Sequence, residues 1–153
     1  MADKNFTVER ERTISAPADV VRAQLVDFHR WKAWSPWEDT DPQLHRAYSG
    51  PDSGEGARYA WSGNRKAGAG SMEITHVSDD RVEVDLEFTK PFASKNVTAF
   101  LLEPQGDATR VTWRMTGPRP LLMRLMGPFL DMDKLVGKDF DKGLAGLEAA
   151  ARA

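Results

Sequence analysis

The sequence predicts an α+β fold: one antiparallel sheet whose apolar face is covered by a long C-terminal helix. Three observations predict it. The middle of the chain is a run of about six strand-like segments, the clearest alternating apolar and charged residues. The final segment, "DMDKLVGKDFDKGLAGLEAAARA", keeps one apolar face at helical spacing. The helical signals are also segregated from the strands, whereas a parallel sheet would need them to alternate. The chain has 153 residues, which fits a single domain spanning 1–153.

The elements follow in order. "FTVERERTI" reads as a first strand with Phe6, Val8 and Ile14 on one face, a face shared by Arg10 and Arg12. Either arginine could fix a ligand's carboxylate or phenolate, but the favoured reading puts them where the strand reaches the open end of the sheet. "APADVVRAQLVDFHRW" reads as helix. Pro17 suits the first helical position, Asp19 suits the dipole of the first turn, and Val21, Leu25 and Phe28 form one apolar stripe. Pro36 must stop any helix running through Trp34, so two short helices are expected here. In "WKAWSPW", Trp31 and Trp34 share a face and are expected to plug the seam where these helices close the sheet. Trp37 is expected at the rim.

The run of strands then comprises "QLHRAYS", "RYAWS", "SMEITH", "RVEVDLEF", "NVTAFLL" and "TRVTWRMT". Two of these are weaker, and "NVTAFLL" is apolar on both faces. Gly63-Asn64, Ser78-Asp79-Asp80 and Gly106-Asp107 supply turn chemistry between strands, which implies consecutive hairpins. In the terminal helix, Met132, Val136, Phe140, Leu144, Leu147 and Ala151 form the apolar face. At ~20 residues it is ~30 Å long, enough to cross a sheet. Gly143 and Gly146 each cost about 1 kcal/mol of helix propensity, so close approach to the sheet is expected in compensation.

Composition excludes several function classes. The formal net charge is −2 and no Lys/Arg run interleaves with aromatics, so nucleic acid is not expected as a partner. With no cysteine, disulfides, thiolate metal sites and Cys nucleophiles are excluded. His29, His45 and His76 are scattered, so neither a metal site nor a cofactor is expected. "GNRKAGAGSM" lacks the order of a phosphate loop and leads into a strand, so it reads as a hairpin turn. "MADKNFTVERERTI" lacks the basic-then-apolar pattern of a signal peptide, and no apolar run is long enough to span a bilayer. A cytoplasmic protein without stable membrane insertion is therefore expected. On that reading the N-x-T sequons at Asn5 and Asn96 are chance matches.

Several motifs, in this order and spacing, resemble the START-like or Bet v 1-like (SRPBCC) superfamily, which includes the polyketide cyclase/dehydrase and lipid-transport group. They are "ISAPADVV", "WSPWE", "GEGARYAWSGN", "GAGSMEI", "LEFTKPF", "TRVTWRMTG" and "DFDKGLAGLEAAA", and they span nearly the whole chain. The resemblance implies a helix-grip fold, a curved seven-stranded antiparallel sheet wrapped around the C-terminal helix. It also implies an internal cavity for an apolar small molecule, but it transfers no catalytic set.

The inward-facing residues are the candidate ligand contacts: Trp34, Tyr59, Trp61, Met72, His76, Phe88, Trp113, Met115, Met132, Val136 and Phe140. Tyr59, His76 and the indole N–H groups are the natural polar anchors among them. The expected function is binding of an apolar, aromatic or polyketide-like molecule in a carrier, sequestration or resistance role. The alternative is a cyclase or dehydratase in which His76 or Tyr59 moves a proton. "PRPLLMRLMGPFLDMD" is too apolar for one helix face and reads as a Met-rich lid, a packing surface or, with Arg119 and Arg124, a membrane-surface contact. That stretch and the strand edges each offer an interface, so a homodimer is open to the chain.

Overall fold

The alternating segments form seven strands of one antiparallel sheet. The computed structural model describes residues 5–35, 43–64, 68–90, 93–118 and 132–152 (for 5, 118 and 132–135, the backbone only). The strands are β1 (Asn5–Ile14), β2 (His45–Ser49), β3 (Arg58–Ser62), β4 (Ala69–Ser78), β5 (Arg81–Lys90), β6 (Ser94–Gln105) and β7 (Ala108–Pro118). Their spatial order is β1-β7-β6-β5-β4-β3-β2. β2 to β7 thus form a meander of hairpins, and β1 closes the far edge against β7. The turn between β6 and β7 places Gly106 at a φ of 66°, a conformation that favours glycine. Trp37 and the apolar 119–131 stretch lie outside the described residues, so the expected rim and lid do too.

Two short helices follow β1, as the sequence predicts. Helix α1 spans Ala18–Leu25, with Pro17 one position earlier than expected, at its N-cap. A 3₁₀ helix spans Phe28–Ala33, and the Asp27 side chain caps it by accepting from the backbone N–H of His29. The last carbonyls of a helix lack partners within it. Here the Trp31 indole N–H donates to the Leu25 carbonyl at 3.0 Å, and that of Trp34 to the Gln24 carbonyl at 3.2 Å. The two tryptophans therefore plug the seam and also cap α1.

The terminal helix α2 spans Met132–Arg152 and packs chiefly along β1, also touching β7, α1 and the 3₁₀ helix. Phe140, Leu144, Leu147 and Ala151 are buried and Val136 is partly buried; the Met132 side chain lies outside the described residues. Each fully buried Phe or Leu contributes about 1.5–3 kcal/mol relative to exposure. The glycine expectation needs a correction. A Cβ at Gly146 would meet the backbone oxygen of Trp34 at 2.9 Å, so the close approach is to the end of the 3₁₀ helix rather than to the sheet. A Cβ at Gly137 would fall on the Arg10 guanidinium. Arg10 and Arg12 do not mark an open sheet end. They face α2, where Arg10 lies 3.5 Å from Asp141 and Arg12 pairs with Glu148 at 2.9 Å.

Candidate functional site

The strand register arranges the inward side chains in tiers. One tier pairs Val8, Met115, Thr98, Val84 and Ile74 across five strands, and all are buried. The next pairs Tyr48, Tyr59, Met72, Leu86 and Asn96. Within it Tyr59 and Asn96 are buried, while Tyr48, Met72 and Leu86 are only partly so. The third pairs Arg46, Trp61, Gly70, Phe88 and Ser94, and every one is partly exposed. The apolar inner face thus opens progressively from the first tier to the third.

Aromatic rings connect these tiers to the closed end. Phe140 stacks on Trp113 with centroids 4.1 Å apart and planes at 7°. Trp113 meets Trp34 at 5.6 Å, and Trp34 meets Trp31 at 4.6 Å. Phe28 then links Trp31 to Tyr59, and Tyr59 leads through Trp61 to Phe88 at the open end. Trp61 lies over Gly70, where a Cβ would collide with its ring. Glycine there lets the indole lie flat across the sheet.

The sequence candidates fall into distinct groups. Tyr59, Trp61, Met72 and Phe88 come together on the opening tiers, and Met115 sits one tier deeper. Val136 is partly buried on α2. Trp34, Trp113 and Phe140 were expected to line a ligand, but they lie in the closed aromatic plug, at most 4% exposed. The Trp34 N–H, expected as an anchor, is already used on α1. His76 needs a correction as well. A register irregularity between Ile74 and His76 adds a residue to β4. It turns His76 outward and Val77 inward, so His76 is exposed while Val77 packs on the core.

Sequence reasoning missed Tyr48, Ser94, Asn96 and Thr98, and read Leu86 as inward without naming it at the site. Asn96 and Thr98 are buried polar residues on the inner face of β6. Their segment looked apolar on both sides, so its own pattern did not show which side turned inward. The Tyr48 hydroxyl is buried and has no hydrogen-bond partner among the described residues. Its ring stacks on His29 at 4.1 Å, and the Lys32 ammonium lies 5.6 Å from its centroid.

Arg46 stands opposite Trp61 on β2, whereas the charged pairs Glu9–Arg114, Glu11–Arg110 and Arg58–Glu73, which join neighbouring strands, lie off these tiers. The Glu148 carboxylate accepts the Ser15 backbone N–H at 3.0 Å and the Arg12 guanidinium at 2.9 and 3.1 Å. Ser15 first, and Arg12 after it, hold its pKa below the usual carboxylate value. Among the described residues there is no group of three His, Asp or Glu able to hold a metal ion. Nor, among them, is any helix long and apolar enough to cross a membrane.

Comparison with known proteins follows the same outline. Residues 5–152 match the family model described as polyketide cyclase / dehydrase and lipid transport. No curated protein matches the sequence significantly. Similar solved structures include the ginseng (Panax ginseng) major latex-like protein 151, at 15% identity and a TM-score of 0.67, covering 96% of this chain and 97% of that one. Norcoclaurine synthase from Thalictrum flavum, solved in complex with dopamine and hydroxybenzaldehyde, aligns at 11% identity and a TM-score of 0.66, covering 95% and 85%. A Rhizobium loti protein aligns at 21% identity and a TM-score of 0.66, covering 95% and 96%. At these identities the likeness is one of fold: the helix-grip fold.

Proposed function

Because this chain belongs to the polyketide cyclase / dehydrase and lipid transport family of the START-like, Bet v 1-like superfamily, we propose that it binds an apolar, aromatic or polyketide-like small molecule against the inward face of β3–β6. The observation that carries this reading is the opening of the inner face. Trp61, Met72, Leu86 and Phe88 point inward yet stay partly exposed, one or two tiers from fully buried Val84 and Ile74. Complete burial of each would be worth about 1.5–3 kcal/mol, and a bound apolar molecule would recover part of that. Norcoclaurine synthase, which shares the fold, was solved with two small aromatic molecules.

Non-catalytic binding, in a carrier, sequestration or resistance role, is the better-supported form. A cyclase or dehydratase step needs a proton moved at the bound molecule. Of the two candidates, His76 faces outward, which leaves Tyr59. Mass spectrometry of small molecules extracted from the purified protein tests the proposal. Recovery of a defined apolar compound, with Trp61→Ala weakening its rebinding, is the expected result. No recovered compound, together with no binding of apolar aromatic probes in equilibrium dialysis, would overturn it.

A further inference from the structure

Asn96 is a carboxamide set into the apolar inner face. It pairs with Leu86 on β5, with Ser94 and Thr98 as the adjacent inward residues of its own strand. It is 6% exposed. Its amide has two donors and an oxygen with two lone pairs. Among the described residues it makes one hydrogen bond, a long one of 3.4 Å from its Nδ2 to the Ser94 hydroxyl. An amide costs more than a leucine on an apolar face unless its donors and acceptors find partners. Room for the amide is also built in. A Cβ at Gly117 of β7 would fall on the Asn96 Oδ1, so glycine at 117 leaves that space open. Asn96 is the first residue of an N-x-T sequon, and its burial removes it as a surface glycan acceptor.

We infer that Asn96 is the polar anchor of the site and that the molecule bound there carries a neutral oxygen group, a ketone or hydroxyl, beside its apolar body. This rests on the proposal that the inner face of β3–β6 binds an apolar molecule, and it adds a specificity. Nδ2–H donates to a carbonyl or hydroxyl oxygen, and Oδ1 accepts from a hydroxyl. Phe88 and Leu86 flank the amide on the neighbouring strand, with Trp61 beyond them, so the apolar body extends toward β3.

The test uses two probes of nearly identical shape, 2-acetylnaphthalene and 2-isopropenylnaphthalene, in which a carbonyl oxygen is exchanged for CH₂. Equilibrium dialysis with the full-length protein is expected to show about tenfold tighter binding of the ketone. Asn96→Leu should bring the two affinities within about twofold by weakening ketone binding alone. Gly117→Ala, which keeps Asn96 but displaces its amide, should also reduce the preference and serves if the leucine variant does not fold. Equal binding of both probes by the native protein would overturn the anchor and leave the apolar-ligand proposal standing. So would a preference that survives in Asn96→Leu, or one that Gly117→Ala leaves at full size. Failure of both probes to bind the native protein would overturn the two together.

Discussion

Glu148→Gln tests how α2 is held on the sheet. The Glu148 carboxylate joins three parts of the chain: Arg12 on β1, Ser15 just after it, and α2 itself. A hydrogen bond to a charged group is worth about 1.5–3 kcal/mol. The Arg12 side chain is 44% exposed, so solvent and salt reduce its share to about 1 kcal/mol or less. Glutamine keeps an oxygen for the Ser15 N–H but loses the charge. The expected loss is therefore about 1–2 kcal/mol at pH 7, or roughly 3–6 °C in Tm for a chain of this size. The pH dependence distinguishes charge from shape. Glu148 has a lowered pKa in the folded state, so its contribution is complete above the unfolded-state pKa. It disappears as pH falls through the lower, folded-state value. Urea denaturation avoids the screening that guanidinium chloride would introduce, and it should show the gap between wild type and variant closing toward pH 3. An equal gap at pH 7 and pH 3 would refute the charge argument, and no gap at pH 7 would refute the clamp.

Three further outcomes are expected. Trp34→Phe keeps most of the ring but leaves the Gln24 carbonyl without its indole donor, for a loss of about 0.5–1.5 kcal/mol in urea denaturation; Trp34→Ala should cost about 3–5 kcal/mol. Gly146→Ala should give no stabilisation, although alanine is worth about 1 kcal/mol in a helix, because the new methyl presses on the Trp34 backbone. A Tm increase of several degrees would show that this contact yields. His76→Ala should change stability by less than about 0.5 kcal/mol and leave probe affinities unaltered, since the side chain is exposed on the outer face. Loss of probe binding in that variant would place His76 at the site after all.

Where one strand's own pattern settled its facing, the sequence reading held. "RVEVDLEF" alternates cleanly, and its apolar residues Val82, Val84, Leu86 and Phe88 do face inward. In the terminal helix Phe140, Leu144, Leu147 and Ala151 are likewise buried as read. Trp31 and Trp34 share a face because both project toward the end of α1. What could not be read is their second role, since a capped carbonyl belongs to the helix end and leaves no trace in the apolar pattern.

The misplacing of His76 and the missing of Asn96 share one physical origin, strand parity. Side chains alternate with a period of two, so one inserted residue moves everything beyond it to the other face. The irregularity at Ile74–His76 does this in β4, and "SMEITH" carries no glycine or proline to mark it. The opposite difficulty hid Asn96. In "NVTAFLL" both faces are rich in apolar residues, so pairing with β5 and β7 decides that Asn96 and Thr98 turn inward and leaves Val97 43% exposed. Left to hydrophobicity alone, this end of the strand would have turned Val97 to the core and Asn96 to water. The register holds it the other way because Phe100 and Leu102, two and three pairs further on, must be buried beside Trp113 and Val111. The amide is thus held on the inner face by the packing of its own strand, and there it presents a polar group that an all-apolar strand would not.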